Sequence, residues 1–223
     1  MPGHIINNSH SNSFITGTQI YILGEFSPKE MNELTGNLGD LIFELKPMPM
    51  YRSSGAITSP YDTKDIKNPI IDIFINSTGG DTSALQNLST LLNIAKSRGA
   101  IIRTTVLARA FSCGSLLAIQ GTPGFRIMAH DARHMVHFGG TSLCINNPDD
   151  LEPRAQQAAA FKELINEKYK IYTKIPKKTL DKMMRCESGY LTAHECLQYE
   201  MCDWIIGERG KIISIANAKQ KTK

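Results

Sequence analysis

Apolar positions recur along this chain with two periods, about two residues in some stretches and between three and four in others, and the alternation of the two predicts its elements. "TQIYILGEF" reads as a strand, and the "SPKE" that follows opens a helix: Ser27 caps, Pro28 takes the first helical position and Glu30 completes a capping box. That helix is predicted to run to about Leu45. From Pro47 to Pro69, four prolines with Ser53, Ser54, Gly55 and Ser59 predict a surface loop. Beyond it "IIDIFIN" has the pattern of a buried strand and "STGGDTS" that of a turn with helix-capping residues. Leu85, Leu88, Leu92 and Ala95 then recur at helical spacing up to Gly99. "AIIRTTVLA" is a further strand, residues 114 to 120 a short apolar helix, and "FRIMA" and "HMVHF" two more strands, an order that predicts a parallel α/β core. Asp149 and Asp150 with Pro153 open a long helix, with Phe161, Leu164, Ile165, Tyr169 and Tyr172 on one stripe before Pro176. Thr192 and Glu195 form another capping box, and "DWIIGERGKIISI" has the form of a terminal hairpin.

Composition narrows the class. With 223 residues, 41% hydrophobic and 21% charged, the chain can bury one sizeable core, and no internal repeat divides it. Residues 1–17, polar and rich in Asn, Ser and His, are expected to be mobile, the domain to span 18–208, and 209–223 to form a tail. The net charge of +4 is scattered, and the only dense basic run is the terminal "KQKTK", so no nucleic-acid partner is expected. Five cysteines without a CxxC pair fit a reducing compartment better than a disulfide framework or a zinc site. No apolar run approaches the ~20 residues that span a bilayer, so no membrane association and a cytoplasmic location are expected. The absence of GxxxxGK excludes a P-loop ATPase, and no cofactor is implied.

The chemistry concentrates in "RAFSCGSLLAIQG", residues 109–121, where Ser112, Cys113 and Ser115 stand between a strand and a helix. A serine hydroxyl attacks only when a base takes its proton, and the acyl intermediate needs amide donors facing its oxyanion. A serine that follows a strand and opens a helix is lifted off the sheet beside the first helical amides. Ala110-Phe111-Ser112-Cys113-Gly114 resembles a nucleophile elbow with alanine in place of its first glycine. Gly79-Gly80, after a strand, lets backbone amides approach a ligand closely. Taken singly, each of these features is also that of an ordinary N-cap or turn. Ser115, three residues on, suits capping or packing, whereas Cys113 is a rival nucleophile. His130, His134 and His137 would align as a metal site on a helix, but strand-turn-strand puts His134 and His137 on opposite faces, so no metal is assigned.

Three stretches in order, "FINSTGGDTSALQNL", "ARAFSCGSLLAIQGTPGFRIM" and "HMVHFGG", resemble the proteolytic subunit of the ATP-dependent Clp protease family. The likeness extends from about Gln19 to Ile206, and the 25-residue interval from Ser112 to His137 is that family's. It implies Ser112 as nucleophile, His137 as general base, and the amides of Gly80 and Cys113 as oxyanion hole, with Cys113 in the family's methionine position and its side chain turned from His137. It implies an α/β superhelix of strand-strand-helix turns, a fold shared with crotonases, with a protruding handle helix at about 153–175. It further implies unfolded polypeptides as substrates and homo-oligomeric rings, heptamers or paired heptamers, fed by a hexameric AAA+ unfoldase. The family's third catalytic residue is an aspartate, where this chain has Ser188 beside Glu187. A serine endopeptidase, with activity lowered if no acid replaces that aspartate, is therefore the leading reading. A catalytically weak ring scaffold and a crotonase-like enzyme of CoA thioesters are the alternatives.

Overall fold

The structure is a computed structural model that describes residues 13–51, 57, 59–138, 151–185 and 189–214. In chain order its elements are β1 (Ser13–Thr16), β2 (Gln19–Phe26), α1 (Pro28–Glu44), β3 (Ile70–Gly80), α2 (Thr82–Ser97), β4 (Ile101–Phe111), α3 (Cys113–Ile119), β5 (Arg126–Ala129), β6 (Arg133–Val136), α4 (Leu151–Tyr172), α5 (Lys177–Arg185), β7 (Gly189–Thr192), α6 (Ala193–Gln198), β8 (Trp204–Ile206) and β9 (Ile212–Ser214).

The isoleucine-rich runs form the centre of one mixed sheet, ordered β1-β2-β3-β4-β5-β8-β9, with β6 pairing β4 and β7. Strands β2, β3, β4, β5 and β8 run parallel, while β1, β7 and β9 turn back antiparallel on β2, β6 and β8. Strand β4 has two successive partners on one edge. Its Thr104–Val106 stretch pairs with β5, and Arg109–Phe111 pairs with β6. An 11-residue strand outlasts the 4-residue β5, and this branching lets the sheet step from one layer to the next, as a strand-strand-helix superhelix requires.

Alternation decides what is buried. Ile20 and Ile22 on β2 and Ile71, Ile73 and Ile75 on β3 meet Met31, Leu38 and Ile42 of α1 and Leu88, Leu92 and Ala95 of α2 in one core. At the helix starts, Ser27 Oγ accepts from Glu30 N but the expected box is only half made, since Ser27 N donates to Glu25 O; Asp81 Oδ1 accepts from Ala84 N at 2.7 Å, and Thr192 and Glu195 make the reciprocal capping box. A half-buried carboxylate joins β5 to β8, with Asp203 accepting from Arg126 Nη2 at 2.6 Å and from the amides of Gly124 and Arg126.

Three features differ from expectation. Polarity predicted no structure before residue 18, but Ser13–Thr16 pairs with β2; Phe14 stacks on Tyr21 at 4.6 Å, and that pairing outweighs the polar composition. Residues 1–12 lie outside the described residues. Strand β3 continues through "STGG" to Gly80, because Glu25 and Phe26 pair in parallel with Gly79 and Gly80 even though both glycines have positive φ. Helix α5 was not foreseen: only Leu180 and Met184 of its nine residues are buried, too few to show a period. The expected terminal hairpin does form, β9 pairing back on β8.

Helix α4 occupies the place expected of the handle, over 22 residues or about 33 Å. Of its stripe, Ile165 and Tyr169 are buried, whereas no residue from 151 to 160 is. Its C-terminal half is anchored on the core and its N-terminal half stands off it.

Candidate active site

Ser112 ends β4 and immediately precedes α3, with φ 53° and ψ −118°. A serine at positive φ is strained by about 1–3 kcal/mol, and surrounding bonds have to hold it there. Its amide donates to Met135 O at 2.9 Å and its carbonyl accepts from Leu116 N at 3.1 Å. The hydroxyl, by contrast, makes no capping bond to the helix it opens. The reading of Ser112 as an ordinary N-cap therefore does not describe this side chain.

The histidine comes alongside through strand pairing. Phe111 lies opposite Met135 in the parallel β4–β6 ladder, so Ser112 stands beside Val136, and His137 is the next residue. His137 is half-buried, and that burial holds its imidazole below the ordinary histidine pKa, leaving it neutral at neutral pH. Among the described residues no hydrogen bond joins Ser112 to His137. The β4–β6 register places them one residue beyond the ends of neighbouring strands.

The glycine pair crosses directly in front. A Cβ on Gly79, at φ 95°, would stand 2.7 Å from both Ser112 Cβ and Phe111 O, so only glycine admits this approach. Ser77 Oγ fastens the turn by accepting from Gly79 N at 3.0 Å while donating to Gly24 O. Gly79 is buried and Gly80 exposed. On the other side, the amides of Cys113, Gly114 and Ser115 donate to no backbone carbonyl of the described residues. Unpaired first-turn amides of this kind favour negative charge.

Cys113 is 2% exposed, and its thiol donates to Gly80 O at 3.1 Å. Burial pushes that thiol up to about 11, against smaller opposing effects from its hydrogen bonds with Gly80 and the Ser112 hydroxyl. It is protonated and directed at the glycine turn, and offers no thiolate at neutral pH.

Among the described residues, a hydroxyl–imidazole hydrogen bond lies elsewhere. Ser115 Oγ and His134 Nδ1 are 2.9 Å apart, and Tyr169 Oη donates to Ser115 Oγ at 3.0 Å. All three side chains are buried, and burial drives His134 down to about 3, so it is a neutral acceptor. The network ties α3, β6 and α4 together. Nothing local in the sequence announces it, since its partners are 19 and 54 positions apart. His130 is exposed and pairs with Asp131, on neither site. Glu187 and Ser188, the candidates for a third catalytic residue, lie outside the described residues.

A serine at a strained strand-to-helix turn, a neutral histidine just past the neighbouring strand and a glycine pair close against the serine are the parts that an acyl-transfer site of the serine-hydrolase kind uses. The Clp protease family model matches residues 61–209, more than half of the chain, and the chain belongs to that family. It is 27% identical over 146 residues to the ATP-dependent Clp protease proteolytic subunit of Deinococcus radiodurans, covering 65% of this chain and 69% of that relative. The protein is thus a Clp-type serine peptidase with the mixed α/β fold of that family, and the CoA-thioester alternative is not favoured. No helix of the described residues is long and apolar enough to cross a membrane.

Proposed function

We propose that Ser112 is the nucleophile of an endopeptidase acting on unfolded polypeptides, with His137 as its general base. The observation that carries this reading is the positive φ of Ser112 combined with a hydroxyl that caps nothing. His137, neutral at the working pH, takes the Ser112 proton as the oxygen attacks the scissile carbonyl. The amides of Gly80 and Cys113 stabilise the oxyanion, and the protonated imidazole then delivers its proton to the leaving amine. Water repeats the sequence on the acyl-enzyme. The imidazole is oriented by Glu187, by Ser188 or by neither; a hydroxyl does so without charge, and loss of the acid costs on the order of 10⁴ in turnover.

In this reading the peptidase works in the cytoplasm as a homo-oligomeric ring, a heptamer or a pair of heptamers, and a hexameric AAA+ unfoldase delivers substrate. The part of α4 without buried residues supports contact between rings, since a helix that stands off its own core has a face to offer a partner. Active-site labelling by a fluorophosphonate with mass mapping tests the assignment. An adduct on Ser112 in the assembled wild type, absent from Ser112→Ala, is expected; no adduct in an assembled ring moves the chain to the scaffold reading that Ser188 motivates.

A further inference from the structure

The outward face of the sheet beside Ser112 carries two rows of side chains that the mechanism leaves unused. Alternation sorts β4 and β6 into a buried face, with Ala110, His134 and Val136, and an outward face with Arg109, Phe111, Arg133, Met135 and, one step beyond β6, His137. The strand register then lines them up. Phe111 is opposite Met135 and Met135 opposite Tyr190, while Arg109 is opposite Arg133 and Arg133 opposite Thr192.

The nearer row is apolar and open. Phe111 meets Tyr190 edge-on at 5.4 Å, and Tyr190 remains 56% exposed. The farther row is cationic: Arg109 and Arg133 are both exposed and directly opposite one another. Like charges so placed destabilise a sheet. Nothing described neutralises them fully. Arg109 makes no hydrogen bond or ion pair with a described residue, and Arg133 Nη1 spends its donors on the carbonyls of Asp131 and Ala132. Glu195 feels the charge of Arg133 but forms no ion pair with it, being held at 2.8 Å by both the amide and the hydroxyl of Thr192.

An extended peptide repeats its side-chain direction every two residues, about 6.6–6.8 Å, which is also the distance between these rows along the strands. From these observations we infer that the face is a substrate subsite selecting an acidic side chain, held between Arg109 and Arg133 about four residues from the scissile bond, with an apolar side chain over Phe111, Met135 and Tyr190 about two residues from it. The inference rests on the assignment of Ser112 and His137 above. Cationic pairing with a carboxylate fits guanidinium geometry and relieves the repulsion between the two strands. The selection is thus for negative charge at one position, on one side of the cut.

Fluorogenic peptides test it on the assembled protein. Two sets place Glu, Gln or Lys four residues before or four residues after the cut, with leucine two residues from it throughout. The expected result is a kcat/KM at least tenfold higher for Glu than for Lys in one of the sets, shrinking as salt is raised. Arg109→Glu/Arg133→Glu is expected to reverse the order, a gain on the Lys peptides that misfolding cannot produce. Equal rates for Glu and Lys in both sets, with hydrolysis that depends on Ser112, overturn the subsite and leave the catalytic assignment standing. Hydrolysis that survives Ser112→Ala overturns the catalytic assignment itself.

Discussion

Ser115 Oγ and His134 Nδ1 stand 2.9 Å apart in the interior, three residues beyond Ser112 and three residues before His137. One helical turn on α3 and three strand positions on β6 carry a second serine and a second histidine to the opposite side of the sheet from the proposed reacting pair. There Tyr169 completes their hydrogen bonding and no solvent reaches them. The inner pair is structural: a histidine that cannot be protonated cannot serve as a base that cycles.

Its removal is therefore expected to affect stability more than chemistry. Tyr169→Phe takes the donor from Ser115 and costs about 1–3 kcal/mol in chemical denaturation, with the fluorophosphonate adduct still on Ser112. Ser115→Ala leaves His134 Nδ1 without its donor at a similar cost. Loss of labelling in either variant while the ring stays intact contradicts the division into two pairs.

Acid is expected to weaken the fold through His134. Its folded pKa of about 3 lies below the ordinary value of 6.5, so the unfolded chain binds the proton first. The stabilisation from keeping this ring neutral is complete above about pH 6.5 and is lost as pH falls toward 3, with a slope approaching ~1.4 kcal/mol per pH unit. Urea titrations at a series of pH values measure it, and His134→Gln flattens the slope. The same sign applies to His137, so the acid limb of kcat/KM is expected below the ordinary histidine range.

Cys113 is expected to be dispensable as a nucleophile. With its thiol pushed up to about 11 and directed at Gly80 O, Cys113→Ala retains the Ser112 adduct, and the wild-type thiol resists iodoacetamide at pH 8. Rapid alkylation of Cys113 accompanied by loss of activity is the contrary result.

Gly79→Ala is expected to abolish labelling. The new methyl carbon would lie 2.7 Å from Ser112 Cβ and from Phe111 O, at a φ of 95° that alanine also resists. Either the turn or the serine has to move. Wild-type labelling kinetics in this variant would show that the approach of β3 to Ser112 is looser than the structure has it.

Asp203→Asn is expected to destabilise by about 3–5 kcal/mol, because it strands the Arg126 guanidinium, of which only 7% is exposed, between β5 and β8. Thermal and urea denaturation report it. A change below ~1 kcal/mol would place the weight of this sheet junction elsewhere.

The amino-acid sequence by itself determined most of the elements and their order, though not β1, α5 or β7, because periodicity and end-capping are local properties of the backbone: the isoleucine runs, the helix starts at Ser27 and Thr192 and the short helix after Ser112 all depend on near neighbours. It also carried the candidate pair, through three ordered stretches and an interval of 25 residues. Tertiary structure alone decided that Ser115 meets His134, that Ser112 takes a positive φ without capping its helix, and that the "STGG" segment stays in the sheet. It alone aligned Phe111 with Met135 and Tyr190 in one row. Those outcomes depend on the register of strands distant in the chain, and register is set by what packs across the sheet, which no local stretch of residues encodes.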